Sequence, residues 1–564
     1  MRRGVWWVGV AIGLGSVGRA AAQVAPTTAE PARVQLLGLN DFHGQLGPAK
    51  KLFDRPVGSA AVLASYLRDA TARFAGDTLI VHAGDWVGAS PPASALLQDE
   101  PSVAFLNLLS NPSCTYGNRM HAKCNVVGTA GNHEFDEGAS ELLRLLRGGK
   151  AKRGPFLDNP WRGARYPIVS ATVIDTKRGT TLFPPYVVKQ VSGVRIGVIG
   201  AVLRATPSMV IAGGVDQLRF VDEATAINKA AKLLQKQGIE TIVVTIHQGG
   251  AQAPYEGPTR PDVAGPTEGI PPILAKLDDA IDVVVSGHAH SFTNALMKNE
   301  HGHPILVTQC PNAGVAFASI ELTIDRKTRD VISKVASIHA TFADTGPGLK
   351  PAEDVAALVQ RADERVAPLA ARVVGEAASA LAQTPNADGE SALGNLITDA
   401  QRVVSKSQVA LMNQGGIRTS LDAGPITWGE LFAIQPFGNA LVSMDLTGSQ
   451  LLRALEQQWS DPDHAHMLQV SGLRYSYDLG KPVGSRVVRV EVAGVLLVTS
   501  ASYRVTTNNF LSAGGSGFSV LAEGRNVRVG AIDLDALVAY IEALGKPVVA
   551  TVEGRIHAVP PAPR

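Results

Sequence analysis

At 564 residues the chain is longer than one hydrophobic core usually serves, so two or more domains are expected. Its 45% hydrophobic and 18% charged residues exclude disorder throughout, and 52 Lys plus Arg against 50 Asp plus Glu leave no basic excess. Neither nucleic acid nor an anionic membrane surface is therefore implied as a partner.

At the N-terminus Arg2 and Arg3 precede an apolar run over residues 5–17, and Ala20-Ala21-Ala22 supplies the small residues that a signal peptidase accepts. Residues 1–22 thus read as an export signal peptide, and twin-arginine export stays open. The run is too short to be a comfortable membrane anchor, and no later segment is long and apolar enough to span a bilayer. A soluble protein exported to the periplasm or beyond the cell is expected. Cys114, Cys124 and Cys310 lack zinc-ligand spacing. In an oxidising compartment Cys114 could bridge Cys124 and leave Cys310 free; three reduced thiols are the alternative.

Residues 34–39 (VQLLGL) read as a buried strand ending in Asn40-Asp41-Phe42-His43-Gly44. Residues two apart at a strand end point to one side, so Asp41 and His43 are expected to converge. Helical periodicity follows over residues 60–67. A second strand, residues 78–81, leads through His82 and Ala83 to Gly84-Asp85, where glycine permits a tight turn; His82 reads as structural.

A third strand, residues 125–127, leads to Gly131-Asn132-His133-Glu134-Phe135-Asp136, with a helix expected from residue 138. Further strands over 194–200, 241–246 and 281–286 follow, with a helix over 223–236. The last two strands end at His247 and at Gly287-His288-Ala289-His290. Apolar strands that repeatedly end in metal-binding residue types are not what solvated loops require. Asp41, His43, Asp85, Asn132, His247, His288 and His290 are the candidates; imidazole with carboxylate suits zinc, manganese, cobalt or iron better than calcium or magnesium. Two ions sharing one carboxylate would use all seven.

The set DxH, GD, GNHEFD, H and GHAH resembles the calcineurin-like metallophosphoesterases, and the wording LNDFHG, HAGDWVGAS and AGNHEFDEG narrows it to the exported 5′-nucleotidase and UDP-sugar hydrolase family. The resemblance implies an α/β fold: an N-terminal αββα sandwich over residues 33–345, a linker helix over 351–372 and a C-terminal α/β substrate-binding domain over 373–560. It implies two divalent metal ions, one on Asp41, His43, Asp85 and His290 and the other on Asp85, Asn132, His247 and His288, with Asp85 as bridge. Such ions would activate water for in-line attack on phosphorus. His133 would then assist at the phosphoryl group, oriented by Asp136; helix capping is the alternative for Asp136. Glu134 and Phe135 receive no chemistry beyond supporting the turn.

Past a Gly-Pro-Lys-Pro stretch, Val355, Leu358, Val359, Ala362, Val366 and Leu369 recur at helical spacing. They read either as an amphipathic linker or as a core helix of the second domain. Further on, residues 390–400, 412–418, 435–439 and 508–518 resemble the family's C-terminal signatures. The resemblance places Phe437 and Phe510 on the two faces of a nucleobase and gives ligand contacts to Asn413, Arg418 and Asn439; core packing is the alternative for both rings.

Two departures stand out. Ser516 replaces the carboxylate of the relatives' GGDGF, and no arginine lies in residues 385–392. The expected activity is release of phosphate from nucleoside 5′-monophosphates. UDP-sugars or 2′,3′-cyclic nucleotides are alternative substrates, and a non-catalytic exported nucleotide-binding protein is the reading of another class.

Overall fold

The computed structural model describes residues 30–48, 50–151, 155–210, 214–461 and 465–559, so the expected signal peptide lies outside the described residues. The principal strands of the N-terminal half are β1 (Ala32–Leu39), β2 (Asp77–His82), β3 (Val126–Gly128), β4 (Tyr186–Val191), β5 (Val194–Val202), β6 (Thr241–His247), β7 (Val283–Ser286), β8 (Thr293–Lys298), β9 (Pro304–Gln309), β10 (Ala316–Ile324) and β11 (Val331–Ala340). They form two sheets, ordered β11-β10-β1-β2-β3 and β8-β9-β7-β6-β5-β4. Within the first sheet β1, β2 and β3 are parallel, as are β5, β6, β7 and β9 in the second.

The side-chain period of two explains the layering. Val34 and Leu36 of β1 and Val243 of β6 lie in the core between the sheets. Leu37 and Leu39 face the outer side of the first sheet, and Ile242, Val244 and Ile246 face the outer side of the second. Helices α1 (Ala60–Arg73), α2 (Glu100–Leu109) and α3 (Gly138–Arg147) cover the first sheet. Helix α4 (Glu223–Gln235) covers the second and is capped by Asp222, whose carboxylate accepts the Thr225 N–H at 2.9 Å. The result is an αββα sandwich.

Cys114 and Cys124 form a disulfide, while Cys310 is free and buried. Among the described residues no helix is long and apolar enough to cross a membrane.

The amphipathic segment after the Gly-Pro stretch is α5 (Glu353–Ala370). Its apolar stripe of Val355, Leu358, Ala362 and Val366 is buried in the core that α1 and α2 share with the first sheet. Arg68 of α1 grips Asp354 through two hydrogen bonds of 2.7 and 2.8 Å. The helix therefore rides on the N-terminal half.

In the C-terminal half, β12 (Val409–Asn413), β13 (Ala440–Thr447), β14 (Leu468–Ser471), β15 (Ser502–Asn508) and β16 (Arg525–Ile532) make a sheet of order β14-β12-β15-β13-β16. Leu393, Leu396, Ile397 and Ala400 of α6 (Ala392–Ser405) share one core with Met412 of β12. Val409, Leu411, Val442 and Val505 turn into a second core on the other face.

Candidate metal centre and adjoining cleft

The parallel strands bring five polar loops to one edge of the sandwich. Asp41 and His43 follow β1, Asp85 follows β2, Asn132 follows β3, His247 ends β6, and His288 and His290 follow β7. The ligand atoms of Asp41, His43, Asp85 and His290 all lie within 4.8 Å of one another, and so do those of Asp85, His247 and His288. Asp85 is common to both groups. The Asn132 Oδ1 lies 3.1 Å from His247 Nε2, which adds the amide to the second group.

Convergence of Asp41 and His43 arises differently from the strand-alternation argument. Strand β1 stops at Leu39, and both residues adopt left-handed backbone, with φ of 49° and 50°. Asp85, His288 and His290 do the same, with φ of 48°, 75° and 53°. Left-handed backbone at a non-glycine residue costs on the order of 1 kcal/mol. Five such residues on the same edge indicate that the fold holds ligand side chains where glycine would be easier but has no ligand to offer.

Hydrogen bonds fix which imidazole nitrogen faces inward. His43 Nδ1 donates to the Gly88 carbonyl at 2.9 Å, and His247 Nδ1 donates to the Ala83 carbonyl at 2.8 Å, so each presents Nε2 to the pocket. His43 Nε2 stands 3.0 Å from His290 Nε2, and His290 Nε2 stands 3.3 Å from Asp41 Oδ1. His247 Nε2 faces Asp85 Oδ2 at 3.0 Å. Burial opposes charge on His247, yet Asp85 outweighs it and lifts the imidazole to about 9. Imidazole nitrogens, carboxylate oxygens and one amide oxygen, with His43 and His247 oriented by main-chain carbonyls, are a donor set that fits two borderline divalent cations.

Asp85 is held on both sides of its Cα. Its Oδ1 accepts the His133 backbone N–H at 2.9 Å, and its own N–H donates to Glu134 Oε2 at 2.9 Å. A Cβ added to Gly131 would overlap the Asp85 carboxylate, so glycine is required for this approach. Asn40 steadies the first loop: its Nδ2 donates to Asp41 Oδ2 at 2.6 Å and to the Cys310 carbonyl at 2.7 Å.

His133 and Asp136 meet as expected for an oriented imidazole, with Nδ1 and Oδ2 2.8 Å apart. Burial opposes protonation of His133, but Asp136 and Asp85 outweigh it and raise its pKa above the ordinary value. The ring stands edge-on to His43, with centroids 5.2 Å apart. His82 is buried between Trp86 and Tyr166 with both ring nitrogens unpaired, and burial drives it down to about 3. It stays neutral behind the centre.

The C-terminal half closes over His133. The Phe437 ring is stacked on the His133 ring at 5.7 Å and 16°, and the Arg418 guanidinium lies 5.8 Å from the Phe437 centroid. Burial lowers Arg418, while the carboxylates of Asp85, Asp136 and Asp41 across the cleft favour its charge. Asn413 Oδ1 accepts from Asn508 Nδ2 at 2.9 Å, and Asn508 Oδ1 accepts the Leu511 N–H at 2.8 Å. Asn508 thereby ties β12 to the short helix that carries Phe510.

Phe510 lies against Gly515, where a Cβ would press on its ring. Ser516 follows in left-handed backbone, φ 52°. Asn439 is 4% exposed, and its main-chain carbonyl accepts the Asp533 N–H at 2.7 Å.

Sequence reasoning left Glu134 and Asn508 without roles. Glu134 sits inside the conspicuous six-residue motif, but its partners are backbone amides, which residue types do not reveal.

Residues 34–292 match the calcineurin-like phosphoesterase family, and residues 372–523 match the 5′-nucleotidase C-terminal domain. The chain is 34% identical to the endonuclease YhcR of Bacillus subtilis, over 96% of this chain but only 42% of that protein. It is 34% identical to the cell wall protein Lmo0130 of Listeria monocytogenes, covering 97% of this chain and 72% of the relative. Among solved structures, the 5′-nucleotidase precursor of Thermus thermophilus superposes with a TM-score of 0.76 at 30% identity, over 94% of this chain and 100% of that one.

Proposed function

The chain belongs to the 5′-nucleotidase family of phosphoric ester hydrolases, and on that premise we propose that it is an exported enzyme that hydrolyses nucleoside 5′-monophosphates to nucleoside and phosphate. The observation that carries this reading is the stack of Phe437 on His133 with Arg418 beside it. It sets an aromatic face and a guanidinium of the second half directly beside His133 of the first.

Asp41, His43, Asp85 and His290 would hold one divalent cation, and Asp85, Asn132, His247 and His288 would hold the other. When bound, the cations lower the pKa of a water and offset charge on the phosphoryl oxygens. Asp136 accepts a hydrogen bond from His133 Nδ1–H and leaves Nε2 as the nitrogen that meets the phosphoryl group or the leaving oxygen. The raised pKa of His133 favours its protonated form for that task. Arg418 adds a fixed positive charge suited to phosphate oxygens. Phe437 and Phe510 offer π faces to a base, and Asn413, held by Asn508, offers amide contacts.

The Cys114–Cys124 disulfide supports export, because such bonds persist in oxidising compartments. Ser516 in place of a carboxylate keeps UDP-sugars and 2′,3′-cyclic nucleotides as the second reading on the same centre.

The test is phosphate release by purified protein with manganese, cobalt or zinc across nucleoside 5′-monophosphates, UDP-glucose and 2′,3′-cyclic nucleotides, with His133→Ala alongside. Nucleoside monophosphates should turn over fastest, and His133→Ala should lower kcat by about 10²- to 10⁴-fold. Faster turnover of UDP-glucose or a cyclic nucleotide moves the substrate assignment. Release from no phosphoester, with nucleoside binding intact in metal-free protein, replaces the enzyme with a binding protein.

A further inference from the structure

Glu134 lies between His133 and Asp136 but takes no part in their contact. Its side chain is buried, and both carboxylate oxygens are engaged by main-chain amides. Oε2 accepts the N–H of Asp85 at 2.9 Å and also the N–H of Gly131; Oε1 accepts the N–H of Trp86 at 2.8 Å. These amides belong to two loops that follow neighbouring parallel strands, β2 and β3, and that approach so closely at Gly131 that no side chain fits between them.

One residue earlier in the same turn, the His133 amide holds Asp85 Oδ1 at 2.9 Å. The Asp85 main chain is thus fixed by Glu134 and its side chain by the turn that carries Glu134. What remains directed at the pocket is Asp85 Oδ2, 3.0 Å from His247 Nε2 and 3.8 Å from His43 Nε2, one nitrogen from each ligand group.

We propose that Glu134 is a positioning residue for the cation centre: it clasps the Asp85 and Asn132 loops so that one carboxylate serves both ligand groups. The inference rests on the two-cation reading of the site given above. A residue needed only for filling space would not carry a buried carboxylate beside a second one, since like charges in a buried site are unfavourable. Its neighbour Phe135 supplies the apolar contact, fully buried against Phe220. Glutamate reaches all three amides because each of its two oxygens accepts more than one hydrogen bond. A glutamine at this position turns one acceptor into a donor facing an amide N–H.

The experiment is calorimetric titration of metal-free protein with Mn²⁺, together with the thermal midpoint of the metal-free form and kcat and KM for phosphate release. Wild type, Glu134→Gln, Glu134→Asp and Phe135→Leu are compared. Wild type should bind two equivalents. Glu134→Gln should bind Mn²⁺ about 10- to 100-fold more weakly, the range found when groups that orient metal ligands are removed, and should lose kcat with little change in KM. Glu134→Asp keeps the charge but is one methylene shorter, and should fall between the two; it carries the test if Glu134→Gln fails to fold.

Phe135→Leu should lower the thermal midpoint and leave Mn²⁺ affinity unchanged. If the Glu134 variants behave like Phe135→Leu, or bind two Mn²⁺ as tightly as wild type, the positioning role is overturned while the two-cation reading stands. If wild type takes up no divalent cation, the reading of the site falls and this inference falls with it.

Discussion

On the N-terminal side of the cleft four of the site's side chains are held by main chain: His43 by the Gly88 carbonyl, His247 by the Ala83 carbonyl, Asp85 by the His133 amide and Asp41 by the His288 amide. On the C-terminal side, Phe437, Phe510, Asn413 and Arg418 are half-buried, and the Arg418 guanidinium donates one long hydrogen bond, 3.4 Å to the Gly415 carbonyl. The difference matches the two tasks. Charge stabilisation at phosphorus demands donors and ligands that do not reorganise, whereas holding an organic group tolerates adjustable contacts. Substitutions on the first side should therefore act on kcat and metal uptake, and those on the second on KM and substrate choice.

The sharpest break of this contrast is Asp85→Asn, which removes the carboxylate common to both ligand groups. Phosphate release should fall on the order of 10³-fold or more, the loss that several kcal/mol of charge stabilisation implies. Metal analysis of the purified variant should find fewer than two bound ions; two ions with normal turnover would remove Asp85 as the bridge.

Asp136→Asn comes next. Asp136 raises the His133 pKa, so its loss lowers that pKa, and the alkaline fall of a pH–rate profile that needs protonated His133 should move to lower pH. The accompanying drop in kcat should lie at the lower end of the 10²- to 10⁴-fold range of a positioned acid-base group. An unmoved profile assigns Asp136 to the turn alone.

Phe437→Ala probes the other side. Loss of one stacking face, about 1 to 3 kcal/mol, should raise KM for a nucleoside monophosphate roughly 10-fold or more while leaving turnover of p-nitrophenyl phosphate near wild type. Equal loss on both substrates would join Phe437 to His133 as one unit and erase the contrast. The smallest effect is expected from Ser516→Asp: a few-fold lower KM for ribonucleotides relative to 2′-deoxyribonucleotides, because an ionised acceptor strengthens a hydrogen bond to a hydroxyl. Aspartate tolerates the left-handed backbone there.

Much of this was legible in the chain itself. Apolar runs located β1, β5 and β6 within a few residues, α4 matches the helix expected over residues 223–236, and helical spacing located α5. The DxH argument expected Asp41 and His43 to converge through strand pleat, whereas left-handed φ values bring them together. Helical spacing also left open which core α5 would join, because an amphipathic stripe states that a face is buried and not against what.

The sequence by itself determined element types and ligand chemistry, because side-chain period and residue identity are local properties. Tertiary structure alone decided which ligands meet: the His288 amide reaches the Asp41 carboxylate across 247 positions only because two sheets stack with their parallel strand ends on one edge. It alone decided the place of Glu134 too, whose partners are three amide groups that every sequence possesses and only a particular approach of two loops brings to one carboxylate.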